Sequence, residues 1–133
     1  MQSFTTTQVA EIVGLPQRKI LSFVERGYVR PSIKDASGAG SQRLWNYFDL
    51  LRCEITNLLL GMVTVDAMRF IATFLADDRR LVYDEELTIP FTKNGPIAPF
   101  SKFENSHDES NGYFAKLTVS INQLRAAVEL QCN

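Results

Sequence analysis

Two short helical patterns of apolar residues open the chain. The apolar positions are Val9, Ile12 and Val13 in the first pattern, and Ile20, Phe23 and Val24 in the second. Their spacing places the apolar side chains of each pattern on one helix face. The first helix is predicted over residues 7–13, with threonine hydroxyls at positions 5–7 as N-caps. Gly14 tolerates the left-handed backbone that ends a helix, and Pro16 suits the first turn of the second helix.

Extended and turn-forming residues follow the second helical pattern. Gly27 is predicted to end the second helix, and Pro31 disfavours helix at the residue before it. Residues 32–41 contain glycine, serine and aspartate, which are typical of a hairpin tip. Residues 43–45, Arg-Leu-Trp, are predicted as the returning strand. Two strands joined by a flexible tip and flanked by helices form a wing.

Two longer helices are predicted after the wing. Asn46 is expected to cap a third helix that continues to about Leu60, and a fourth helix is expected over residues 65–76. The polar side chains of the fourth helix form one narrow stripe of Asp66, Arg69 and Thr73. A helix that is apolar over most of its circumference must be covered on more than one side. Phe70 and Phe74 are expected to pack against the C-terminal segment or a second subunit.

The C-terminal segment alternates apolar and polar residues, as strands do. Residues 81–83 and 87–91 are predicted as two strands around the dipeptide at 84–85, and residues 113–121 as the clearest strand. The apolar face of this last strand includes Leu117 and Val119. Ser120 is expected to cap a final helix to about Leu130. The segment therefore predicts a small β-β-β-α module, which is marginal alone and needs the fourth helix or a second copy beside it.

The composition is that of an ordinary globular chain. Its 133 residues are 45% hydrophobic and 22% charged, and no apolar run is long enough to cross a bilayer. The net charge is −1 and the pI is near 5.8, which argues against a polybasic protein held to nucleic acid by bulk charge. From residue 16 to residue 43, however, six basic side chains accompany two acidic ones. The start of the chain lacks a signal peptide, so we expect a cytoplasmic protein with no membrane partner.

The basic excess coincides with the polar face of the second helix. The residues of this face are Gln17, Arg18, Lys19 and Ser22. In a helix-turn-helix the second helix lies in the major groove and presents its N-terminal residues to base edges. Arginine and glutamine can pair bidentately with guanine and adenine edges. A solvated helix face without a ligand fits this segment equally well.

Candidate chemistry for an enzyme is scarce. His107 is the only histidine, and Cys53 and Cys132 lie far apart without metal-ligand spacing. No glycine-rich phosphate loop and no paired carboxylates are found. We therefore expect no enzyme activity, no metal and no cofactor. Residues 92–112 are predicted as a long loop, either mobile or a binding element, with mobility favoured.

An ordered series of residues over the first half resembles the MerR family of winged helix-turn-helix transcription regulators. The matching residues are Val9, Ala10, Gly14, Gly27, Pro31, Arg43, Leu44, Trp45, Asp49 and Leu50, followed by a glycine turn and fourth helix over residues 60–71. The resemblance implies an α+β fold with a MerR-like winged domain of four helices over residues 1–78. The β-β-β-α module over residues 79–133 would then serve dimerisation or effector sensing.

The resemblance also implies a function. A homodimer would bind double-stranded DNA at an inverted-repeat promoter site, with RNA polymerase or another protein as a further partner. The expected DNA contacts are Thr6, Thr7, Pro16, Gln17, Arg18, Lys19, Ser22, Arg26, Ser41, Gln42, Arg43 and Trp45. Arg43 would bind a phosphate on the wing, and Trp45 would take the place of the family's usual tyrosine beside it. Phe70, Phe74, Leu117 and Val119 would form the dimer or inter-module packing.

The sequence departs from the family in two places. Residues 21–24 replace the Arg-Tyr-Tyr-Glu series of many members, and no long dimerisation helix with sustained heptads follows. An alternative is therefore a protein-interaction module, antitoxin-like or a co-regulator, that uses the winged domain with weak DNA affinity. A recombination or excision accessory protein with a similar small winged fold is a third possibility, which shares the DNA prediction.

Overall fold

Local capping signals set the helix boundaries of this α+β protein. The computed structural model describes residues 2–35, 42–83, 86–92, 95–96, 100–101 and 115–132. The helices are α1 (Thr6–Val13), α2 (Gln17–Glu25), α3 (Tyr47–Leu60), α4 (Val65–Leu75), α5 (Asp78–Tyr83) and α6 (Ile121–Cys132). The strands are β1 (Phe4–Thr5), β2 (Leu44–Trp45), β3 (Glu86–Thr92), β4 (Gly95–Pro96), β5 (Phe100–Ser101) and β6 (Ala115–Ser120). The four helices predicted before residue 77 are confirmed.

The ends of the first two helices follow from side-chain caps and glycines. Thr5 and Gln8 form a reciprocal capping box at the start of α1, because the Thr5 hydroxyl accepts from the Gln8 amide at 3.2 Å and the Gln8 side chain accepts from the Thr5 amide at 2.9 Å. Gly14 ends α1 with a φ of 71°. Gly27 follows α2 with a φ of 80°. Both conformations are left-handed, which confirms the predicted stops.

The strand before α3 pairs differently from the prediction. β2 pairs antiparallel with β1, with Phe4 opposite Trp45 and Thr5 opposite Leu44. The sequence predicted that β2 would pair with a strand just before the hairpin tip. In the described residues this pairing is a single antiparallel bridge between Lys34 and Leu44. Residues 36–41, which include most of the predicted tip, lie outside the described part of the chain. The N-terminal residues therefore supply most of the pairing for this strand.

The second sheet is built around β3. β6 pairs antiparallel with it over six residues, from Glu86 opposite Ser120 to Phe91 opposite Ala115. The short strands β4 and β5 pair with opposite ends of β3. Within the predicted 92–112 loop, Thr92 ends β3 and two further stretches are strands, whereas the other residues, including His107, lie outside the described part of the chain. The predicted strands over 87–91 and 113–121 correspond to β3 and β6.

Residues 81–83 form the end of helix α5, so the prediction of a strand there is wrong. The Asp77 carboxylate accepts from the Arg79 amide at 3.0 Å, and Asp78 adds a negative charge to the first turn. Leu81 is fully buried, and its carbonyl accepts from Arg125 Nη1 at 2.7 Å. The predicted β-β-β-α order is corrected to a short helix, the sheet around β3, and α6.

One apolar core joins the two halves of the chain. Trp45, Leu50 and Ile55 belong to the same buried cluster as Leu81 and Ile121. The Tyr47 hydroxyl on α3 donates to the Glu129 carboxylate on α6 at 3.2 Å. Residues on both sides of the predicted boundary between residues 78 and 79 therefore share one core. No helix among the described residues has both the length and the apolar character that a membrane span requires.

The two cysteines are expected to differ sharply in reactivity. Cys53 is fully buried on α3, and burial raises the pKa of its thiol. Burial raises the pKa of the Cys132 thiol too, but this side chain is only half-buried and is accessible to a reagent. Because the thiolate is the reactive form, a disulfide reagent should label one thiol in the folded protein and two in urea. Cys132→Ser should remove the fast reaction. Two fast thiols in the native protein would contradict this prediction.

Candidate nucleic-acid interface

The start of α2 has the features of an anion-binding helix end. Pro16 occupies the cap with a φ of −60° and a ψ of 142°, and it makes no side-chain hydrogen bond. The first backbone bonds of the helix run from the Lys19 amide at 2.9 Å and the Ile20 amide at 3.3 Å to the Pro16 carbonyl. The amides of Gln17 and Arg18 precede these bonds, and no acidic residue lies in the first turn. The first turn of α2 therefore supplies no acidic side chain of its own to offset the positive end of the helix dipole.

Other helices of the N-terminal half begin differently. α1, α3 and α4 are capped by the side chains of Thr5, Asn46 and Thr64. Asn46 forms a second capping box with Asp49, which also places a carboxylate at the start of α3. These caps satisfy the amides that would otherwise attract an anion. Among these four helices, α2 is the one whose cap residue makes no side-chain hydrogen bond.

The side chains of α2 divide into an anchored face and an exposed face. Ile20 and Phe23 are buried and hold the helix against the core. Gln17, Arg18 and Lys19 are exposed, and no ion pair joins either cation to another residue that the structure describes. The predicted reading residues at the start of α2 are therefore accessible to a ligand. We call these three residues the α2 basic face.

Four further residues that were predicted to contact DNA lie on or beside α1 and α2. Ser22 is half-buried, and its hydroxyl donates to the Lys19 carbonyl at 2.7 Å. Arg26 is exposed but lies at the C-cap, one helix length away from the basic face. Thr7 and Pro16 are exposed. Ser22 is thus occupied by its own helix, whereas the other three side chains remain accessible.

Asp35 ties together two arginines of the segment between α2 and α3. Arg43 Nε lies 3.2 Å from Asp35 Oδ1, and Arg30 Nε lies 3.9 Å from Asp35 Oδ2. The Arg43 side chain is 29% exposed and the Arg30 side chain 87% exposed. Gln42 is exposed, and Ser41 lies outside the described residues. A phosphate that binds Arg43 has to compete with the Asp35 carboxylate.

Thr6 and Trp45 do not belong to an exposed surface. Trp45 is 0% exposed, and its indole nitrogen donates to the Thr6 hydroxyl at 3.0 Å. Thr6 is itself 8% exposed. The prediction that these two side chains contact DNA is corrected, because the bulky indole fills the core and its only donor is satisfied there. The pairing of β2 with β1 brings the two residues together.

A buried polar network supports the segment that carries Arg30 and Arg43. The Asp49 carboxylate is 0% exposed and accepts from the Ser32 amide at 2.9 Å, the Ser32 hydroxyl at 2.6 Å and the Asn46 amide at 2.9 Å. Arg52 Nη1 donates to it at 2.9 Å. Arg52 also donates from Nε to the Leu75 carbonyl at 2.7 Å and pairs with Asp78. We call this set the Asp49–Arg52 network. Sequence reasoning found the Asn46 cap but not the links to Ser32 and α4.

The geometry can be set beside known proteins. No family model matches the sequence, and no curated protein is similar enough to count as a relative. The MerR resemblance therefore stays a prediction that rests on the residues quoted for it. Within the described part of the chain, no group of three histidine, cysteine or carboxylate side chains is arranged to hold a metal ion.

Part of the fourth helix remains uncovered. Phe70 is 40% exposed and packs edge-on against the half-buried Phe74, with ring centroids 5.2 Å apart. Leu117 is half-buried and Val119 is 9% exposed, and both pack in the common core. Other large apolar side chains exposed on α3, α4 and the turn between them are Leu58, Met62 and Val65. The predicted packing residues thus divide into two in the core and two on or near the surface.

Proposed function

We propose that the protein is a sequence-specific DNA-binding transcriptional regulator of the MerR-like type. The observation that carries the proposal is the exposed, uncapped start of α2 with Gln17, Arg18 and Lys19 on it. The left-handed turn at Gly14 ends α1, and the buried Ile20 anchors α2 so that Gln17, Arg18 and Lys19 lie on its exposed side. A helix end of this kind enters the major groove of a duplex in helix-turn-helix proteins.

The chemistry of the α2 basic face suits both parts of DNA recognition. Arg18 can donate two hydrogen bonds to the O6 and N7 atoms of guanine, and Gln17 can pair with the N6 and N7 atoms of adenine. Lys19 and the amides of the first turn suit phosphate oxygens, which fix the position of the helix on the duplex. Arg43 contributes a phosphate contact from the neighbouring segment when Asp35 releases it. Base and phosphate contacts thus come from different side chains.

The MerR resemblance adds a dimer that binds an inverted repeat. Two copies related by a two-fold axis would place two α2 helices in successive major grooves on one side of the DNA. The exposed Met62, Val65 and Phe70 supply apolar surface that one chain leaves uncovered. A dimer also doubles the phosphate contacts, which a chain of net charge −1 needs for tight binding.

Substitutions on the α2 basic face separate base contacts from phosphate contacts. Arg18→Ala is expected to cost about 1–3 kcal/mol of binding free energy on the selected site and to relax the preference at one base pair. Lys19→Ala and Arg43→Ala should weaken all duplexes alike and lower the slope of log K against log salt by about 1 each. The measurements are selection from random duplexes, followed by binding titrations at several salt concentrations.

Arg79→Ala is the matched control, because Arg79 is an exposed arginine on a different helix, α5, where it pairs with Asp77. It should leave affinity and salt slope unchanged. The proposal fails if the wild-type protein selects no site, or if Arg18→Ala binds as well as the Arg79→Ala control. Uniform loss across all duplexes for Arg18→Ala would remove that residue from base reading.

A protein-interaction module, antitoxin-like or a co-regulator, is the second candidate. It is favoured by the exposed apolar side chains of Leu58, Met62 and Phe70 and by the pairing of Arg43 with Asp35. This candidate predicts equal, weak affinity for every duplex. It also predicts that Met62→Asp blocks assembly with a partner protein, whereas the Arg18→Ala substitution has no effect on that assembly.

A further inference from the structure

A cleft of about 510 Å³ lies between the segment that leaves α2 and the C-terminal half of α4. Its walls are formed by Val24, by residues 27–32, by Arg52, and by Arg69, Ala72, Thr73 and Ala76 of and after α4. This volume falls within the range of small-molecule sites, which is about 300–1,000 Å³. The cleft is separate from the α2 basic face, because none of Gln17, Arg18 and Lys19 lines it.

The charged side chains at the cleft all carry the same sign. Arg30, Arg52 and Arg69 line it, and no acidic residue is among the described residues that do so. Arg52 is occupied by Asp49, Asp78 and two backbone carbonyls. Arg30 is mostly exposed, and its ion pair within the described residues is a 3.9 Å contact with Asp35. Arg69 is exposed and has no ion pair with any residue that the structure describes, so it is the cation best able to bind an anion.

The rest of the lining mixes apolar side chains with the hydroxyls of Ser32 and Thr73, which donate to Asp49 and to the Phe70 carbonyl. Val24 and Ala72 are half-buried, and Val29 is buried. Tyr28, which also forms part of the wall, is 4% exposed, and its buried hydroxyl has no hydrogen-bond partner in the described part of the chain. A buried donor without a partner is unfavourable and rare in native proteins. The cleft therefore combines cations with apolar side chains.

We propose that this cleft binds a small organic carboxylate with an apolar body. The carboxylate would pair with Arg69 and Arg30, and an aryl or alkyl group would pack against Val24, Val29 and Ala72. A guanidinium fork matches the planar carboxylate group geometrically. The ligand would connect α4 to the residues that lead to Arg43 and so act as an effector of the segment between α2 and α3.

Benzoate is the probe for this site, and benzyl alcohol is its neutral counterpart. Benzoate titrated into the ¹⁵N-labelled full chain should shift the amide resonances of residues 27–32 and 69–76, with a Kd on the order of 1 mM for so small a ligand. Benzyl alcohol should bind about tenfold more weakly, because it carries no negative charge to pair with the guanidinium groups. Arg69→Gln should weaken benzoate binding by about the same factor and leave benzyl alcohol unaffected.

Arg79→Gln is the control, because it removes an exposed arginine that does not line the cleft. Benzoate should bind this variant as it binds the wild type. The proposal is overturned if benzoate shifts no resonance of the cleft, or if Arg69→Gln and Arg79→Gln bind benzoate equally. It is also overturned if Arg69→Gln weakens DNA binding while benzoate does not bind, since the arginines then belong to a DNA surface. The titration contains no DNA, so its failure leaves the proposed function standing.

Discussion

Asp49→Ala is expected to lower the free energy of unfolding by about 3–5 kcal/mol, the cost of breaking a buried ion pair from one side. Asp49 is fully buried and accepts four hydrogen bonds, two from Ser32, one from Asn46 and one from Arg52. The substitution leaves three donors on neighbouring residues without their acceptor and leaves the Arg52 guanidinium with one buried counter-charge fewer. Asp78, which is partly exposed, compensates for only part of that loss.

Fluorescence of Trp45 during urea titration measures this loss, because the chain has one tryptophan and it is buried. Glu25→Ala on the exposed side of α2 is the control and should change stability by less than about 0.5 kcal/mol. Asp49→Asn should fall between the two, since it keeps the shape and loses the charge. Equal midpoints for Asp49→Ala and Glu25→Ala would show that the network contributes no stability.

The same network connects the two walls of the cleft. Asp49 holds Ser32 at the start of α3 through two hydrogen bonds. Ser32 is the last residue of the 27–32 segment, which includes Arg30 and lines the cleft. Arg52 then connects this point to the carbonyls of Leu75 and Ala76 at the end of α4. A ligand that changes the distance between α4 and residues 27–32 would therefore act on hydrogen bonds that join these two walls. In the proposed effector role, this network would carry the effect of a bound ligand to the segment that contains Arg43.

Helices were predictable from the sequence wherever the cap and the apolar spacing agreed. Asn46 and Asp49 mark the start of α3, and Gly14 marks the end of α1, at the positions that the structure confirms. The strand predicted over residues 81–83 is wrong because three alternating residues are too short to distinguish strand from helix. The acidic pair before it and the docking of Leu81 in the core decide in favour of helix.

Long-range pairing was the part of the fold that the sequence did not predict. Nothing local indicates that Phe4 and Thr5 pair with Leu44 and Trp45, because sequence spacing carries no information on strand partners so far apart. The exposed face of α2 was predictable from its period, since Ile20 and Phe23 fix the opposite face. The contact between Arg43 and Asp35 was not, because it depends on how residues 30–45 fold back.

Trp45→Ala is expected to cost about 3–5 kcal/mol of stability, because it removes a large, fully buried side chain from the core. Trp45→Phe keeps most of that apolar volume but leaves the Thr6 hydroxyl without its donor, for a loss of about 1–3 kcal/mol. Circular dichroism during urea titration measures both, since the fluorescent reporter is absent from these variants. Well below its unfolding midpoint, Trp45→Phe should bind the selected duplex with wild-type affinity and salt slope. A loss of DNA affinity at full folding would return Trp45 to the DNA-contacting surface and contradict the buried position that the core gives it.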